Sequence, residues 1–76
     1  MKSSELRYLV TFADEGSFSR AAERCRVSQP TLSVALRNLE AELGIALIER
    51  GKCHVALTDI GWQVAAQTRR TLDEAR

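Results

Sequence analysis

The sequence predicts a mostly α-helical domain that carries one small two-stranded β-hairpin. Three observations point there. Apolar residues recur at helical spacing through most of the chain, serine and threonine caps alternate with glycine stops, and one short alternating segment interrupts the pattern. At 76 residues the chain makes a single small domain with a thin core. Its 45% apolar and 28% charged content is that of a folded chain and not of a disordered one.

The first helix is expected to start after Ser4, whose hydroxyl can cap free N–H groups. Leu6, Leu9, Val10 and Ala13 form its stripe, with Phe12 beside them, and Gly16 ends it. Ser17 caps a second, short helix whose apolar face is Phe18, Ala21, Ala22 and Cys25. The adjacent small residues Ala21 and Ala22 let another helix approach closely. After a turn at Arg26-Val27, Ser28 caps a third helix with Pro30 in its first turn, where a missing N–H costs little.

Leu32, Leu36, Leu39 and Leu43 follow at helical spacing, and Gly44 stops the helix. This ladder fixes the buried face, so Gln29, Ser33 and Arg37 lie opposite, with Thr31 and Val34 at the borders. Ala46 to Glu49 and Cys53 to Leu57 read as two strands around an Arg50-Gly51-Lys52 turn. Thr58 caps a last helix, with Asp59 favourable at its positive end. Val64, Ala65, Thr68 and Leu72 line one side of it. Having no stop signal, this helix is expected to continue in a longer protein.

The net charge is +1, but Arg20, Arg24, Arg26 and Arg37 crowd a stretch whose one acid is Glu23. A locally basic surface on a nearly neutral domain follows. Cys25 and Cys53 lack the pairing density of a small secreted domain, and no apolar run reaches the length of a signal core or membrane span. The expected location is therefore cytoplasmic, with no membrane association and with reduced thiols. Cys25 reads as a small buried hydrophobe, and His54 as a solvated residue of the hairpin. One histidine, no phosphate loop and no nucleophile paired with a base argue against catalysis, cofactor and metal alike.

Short helix, tight turn, capped longer helix, hairpin and helix make a winged helix-turn-helix with a small two-stranded β wing and a long C-terminal helix. In that arrangement the helix of residues 28–43 can enter a major groove about 12 Å wide, its N-terminal turn toward the base edges. Gln29 can pair with adenine, and Thr31 can touch a thymine methyl or a phosphate. Arg37 can reach a phosphate or a guanine, and Arg50 and Lys52 can meet the flanking backbone or minor groove. The free N–H groups at the Ser28 end favour a phosphate. The competing assignment is a winged-helix protein-interaction module without DNA binding, favoured by the low net charge and by Val34.

The runs Phe18-Ser19-Arg20-Ala21-Ala22, Val27 to Ser33, Leu39 to Gly44, Leu47 to Arg50 and Leu57 to Gly61 resemble the N-terminal domain of LysR-type transcriptional regulators. The resemblance spans nearly the whole chain. It implies a DNA-binding domain over residues 1–57 and a linker helix over 58–76 that pairs two subunits on a dyad-symmetric, double-stranded operator. It also implies a separate C-terminal domain, absent from this chain, that senses an effector. On the recognition helix it places DNA contacts at Gln29, Pro30, Thr31, Ser33 and Arg37, beside the cap Ser28. Two departures stand out. Val34 occupies a position often held by arginine, and Cys53-His54 stand where the wing is usually richer in arginine. Leu6-Arg7-Tyr8, Ala22 to Cys25, Gln29 to Ser33 and Val64 to Gln67 are similar to the peroxide-responsive OxyR branch, in which the absent domain senses oxidant.

Overall fold

In the computed structural model, which describes residues 2–52 and 54–74, the order is α1 (Ser3–Glu15), α2 (Phe18–Cys25), α3 (Gln29–Leu43), β1 (Ile48–Arg50), β2 (Val55–Leu57) and α4 (Asp59–Glu74). Helix α1 is the hub, packing against α2, α3 and α4, while α2 and α3 pack on each other. Leu9, Phe12, Leu32, Leu36, Leu39 and Leu47 are sealed from solvent. Each contributes about 1.5–3 kcal/mol of burial, a large share of what so small a domain can gain. Ala21 and Ala22 sit in the same core, where their small side chains admit the neighbouring helices. Phe18 closes α2 onto α1, its ring 4.8 Å from that of Phe12.

The caps follow the sequence closely. The Ser17 hydroxyl accepts the Arg20 N–H, and Gly16 and Gly44 take left-handed φ of 68° and 70° just past α1 and α3. Thr58 Oγ1 accepts the Gly61 N–H at 2.9 Å and so opens α4. Helix α1 differs from expectation. It begins at Ser3, and Ser4 does not cap it; instead the buried Glu5 carboxylate reaches back to accept the Lys2 backbone N–H at 3.2 Å. A carboxylate in the first turn also suits the helix dipole, which a serine hydroxyl cannot match.

The strands are shorter than expected. They pair antiparallel as Ile48 with Leu57, Glu49 with Ala56 and Arg50 with Val55, and the Gly51 N–H donates to the His54 carbonyl across the turn. Cys53, assigned to this wing, lies outside the described residues. Cys25 is half-buried and not fully enclosed. The stripe on α4 does not wait for another subunit: Ala65 and Thr68 are buried and α4 packs on α1. Gly61 makes this docking possible, because a Cβ there would collide with the Leu47 carbonyl oxygen and press on Leu57 Cδ2 at 3.2 Å.

Candidate nucleic-acid interface

The site is built from α3 outward. Leu32, Leu36 and Leu39 are wholly buried, so the helix presents its opposite side whether or not a partner is near. Gln29 and Arg37 are exposed there, with Ser33 half-buried between them. The eight steps from Gln29 to Arg37 advance about 12 Å along the axis, so the three side chains form a row along the helix rather than a point. Pro30, Thr31 and Val34 lie on the exposed flank, Val34 at 57%. They line an open groove shared with Lys2 and with Ser4 and Tyr8 of α1. The start of α1 is thus adjacent to the row, a neighbour that no local sequence signal announces.

The first turn of α3 is tightly arranged. Ser28 Oγ accepts the Thr31 N–H at 3.2 Å and donates to Thr31 Oγ1 at 2.8 Å. Thr31 keeps its hydroxyl proton free to donate outward. Because Pro30 has no N–H and that of Thr31 is taken, the Gln29 N–H is the first-turn donor left over. Pro30 and the Ser28–Thr31 bond thus leave fewer free N–H groups at this end than the sequence suggests.

Arg26, the turn residue before Ser28, has a left-handed φ of 59°. A Cβ-bearing residue holds that conformation at a cost of about 1–2 kcal/mol. Arg20, Arg26 and Arg37 are exposed and carry no ion pair among the described residues. Arg24 differs. It bridges Glu15 at 3.0 Å and Asp14 at 3.5 Å. The hydrogen bond and charge of Glu15, then those of Asp14, outweigh desolvation and raise its pKa. Asp14 also pairs with Arg69 of α4, so these charges tie helices together.

At the wing the two basic residues part company. Arg50 Nη1 lies 3.3 Å from Glu40 Oε1, its side chain 30% exposed. Lys52, at the turn, is exposed and has no ion pair among the described residues. The other oxygen of Glu40 accepts the backbone N–H groups of Leu47 at 2.8 Å and Ile48 at 3.1 Å. Glu40 was not legible as a site residue, because its partners are backbone groups seven and eight positions away. Among the described residues no three His, Cys, Asp or Glu side chains group as a metal site, and no helix is long and apolar enough to cross a membrane.

A family model described as the bacterial regulatory helix-turn-helix protein, lysR family, matches residues 3–62. The DNA-binding transcriptional dual regulator OxyR of Escherichia coli K12 is 45% identical over 76 residues, which is 100% of this chain and 25% of that protein. A full-length OxyR structure from Pseudomonas aeruginosa superposes with a TM-score of 0.93 at 53% identity, over 99% of this chain and 25% of the other. The BenM DNA-binding domain in complex with catB site 1 DNA superposes with a TM-score of 0.92 at 39% identity, over 99% of this chain and 83% of the other. The chain therefore spans about a quarter of the full-length regulators it matches, and it retains over that span the helix-turn-helix, the hairpin and the following helix. It belongs to the LysR family of bacterial regulatory helix-turn-helix proteins.

Proposed function

We propose that this chain binds double-stranded DNA sequence-specifically, with α3 in the major groove and the wing on the flanking backbone or minor groove. The observation that carries the reading is the row of Gln29, Ser33 and Arg37, held outward by the buried leucines behind it. Ser28, Pro30 and Thr31 complete the base-facing turn, and in the wing Lys52 stands exposed while Arg50 is held to Glu40. Arginine and lysine contacts to phosphate supply most of the affinity, so binding is strongly salt-dependent. The role is that of a cytoplasmic binding module, not an enzyme, and it requires no cofactor. The likeness to a domain solved on DNA, at 39% identity, supports it.

In the same reading residues 1–57 form the DNA-binding unit, and residues 58–76 also pair two copies on a dyad-symmetric operator. Trp62 of α4 is 54% exposed, an apolar side chain that a second subunit would cover. In the full-length protein a C-terminal domain would sense an effector; 45% identity to a hydrogen peroxide-inducible genes activator of Pectobacterium carotovorum makes an oxidant the first candidate. The direct test is selection of binding sites from random duplexes, followed by titration at two salt concentrations. Recovery of a sequence bound more weakly at the higher salt supports the reading. Failure to enrich any sequence would refute it and favour a protein-interaction module.

A further inference from the structure

The wing is attached to the recognition helix through one carboxylate. Glu40 lies one turn beyond Arg37 on α3, its side chain 14% exposed. One oxygen takes the N–H groups of Leu47 and Ile48, which enter β1; the other takes the guanidinium of Arg50, where β1 ends. Three donors spread from Leu47, just before β1, to Arg50 at its end fix both the position and the tilt of the hairpin relative to α3. The same helix turn also receives the chain by its backbone, since the Glu40 carbonyl accepts the N–H groups of Gly44 and Ile45. Arg50, engaged with Glu40, lies along this joint, whereas Lys52 projects from the turn between the strands.

From this arrangement we infer that Glu40 is the positioning residue of the wing, that Arg50 is its strut and not a DNA contact, and that Lys52 is the cation the wing delivers to phosphate, an inference that rests on the DNA-binding reading above. Arg50 would have to abandon a charge-assisted bond to reach DNA, and Lys52 breaks nothing. A carboxylate suits the joint because both its oxygens accept. Glu40→Ala removes both acceptors at once, so the strand N–H groups and the guanidinium lose the joint together.

The experiment measures the slope of log affinity against log salt for a duplex recovered by selection, with circular dichroism confirming that each variant is folded. Lys52→Gln should lower the slope by about 0.9, one phosphate contact. Arg50→Gln should leave it unchanged, because the backbone bonds to Glu40 remain. Glu40→Ala should lower it like Lys52→Gln, and adding Lys52→Gln to Glu40→Ala should have no further effect. A merely structural Glu40 would leave the Lys52 effect intact in both backgrounds, and that result overturns the inference. So does an Arg50→Gln slope reduced as much as that of Lys52→Gln, which decides the matter even if Glu40→Ala does not fold. A wild-type affinity indifferent to salt would instead remove the DNA-binding reading itself.

Discussion

Gly61→Ala should destabilise the domain, although alanine is the better helix former. In α4 the change gains about 0.8–1 kcal/mol of helix propensity. Against this, the new Cβ would collide with the Leu47 carbonyl oxygen and lie 3.1 Å from the Leu47 carbonyl carbon and 3.2 Å from Leu57 Cδ2. Two of these three atoms are backbone, so no side chain can swing aside to relieve the collision. Overpacking of this kind costs about 1–3 kcal/mol. Relief requires α4 to back away from the strand entrance. That movement strains the bond from the Thr58 N–H to the Leu47 carbonyl at 3.0 Å and the bond from the Thr58 hydroxyl to the Ala46 carbonyl at 2.8 Å. Each contributes about 0.5–1.5 kcal/mol.

The net expectation for Gly61→Ala is a loss of about 1–3 kcal/mol. In a domain this small that lowers the melting temperature by roughly 4–8 °C per kcal/mol. Thermal unfolding followed by circular dichroism reads it directly. Ala66→Gly, at an exposed position of the same helix, calibrates propensity alone and should cost about 1 kcal/mol. A Gly61→Ala domain that melts at or above the wild-type temperature would refute the argument that α4 is seated on the Leu47 backbone.

Arg37→Ala should weaken operator binding by about 1–3 kcal/mol if the guanidinium holds a base bidentately; a footprint titration with no loss removes Arg37 from the interface. Arg26→Gly should raise thermal stability by roughly 1 kcal/mol by relieving the left-handed backbone, and a lower melting temperature would count against the strain argument. Trp62→Ser should leave the melting temperature nearly unchanged, because the ring is 54% exposed. It should nevertheless weaken self-association in sedimentation, and an unaltered dimer would exclude Trp62 from the subunit contact.

What was legible in the sequence was whatever local chemistry decides. Ser17, Ser28 and Thr58 cap where expected, and Gly16 and Gly44 terminate where expected, because these motifs are closed within a few residues. The leucine ladder showed which face of α3 is free for the same reason. Long-range decisions were hidden. The role of Glu40 depends on strand N–H groups brought beneath it by the Gly44 turn, and nothing near it marks it off from an ordinary solvated acid. Ser4 looked like a cap, yet the longer reach of Glu5 met the chain start instead. Arg24 looked like one of several basic surface residues, but packing of α2 on the end of α1 set it against Asp14 and Glu15. No local signal named the partner of the stripe on α4, because that partner, α1, lies at the far end of the sequence.

The claim that everything else serves is that the leucine-backed side of α3 is the surface that meets DNA. Amide chemical shifts recorded during titration with the selected duplex test it residue by residue. The account predicts that the largest changes cluster from Ser28 to Arg37, with a second group at Gly51 and Lys52. Changes confined to α4 around Trp62, with α3 silent, would contradict it.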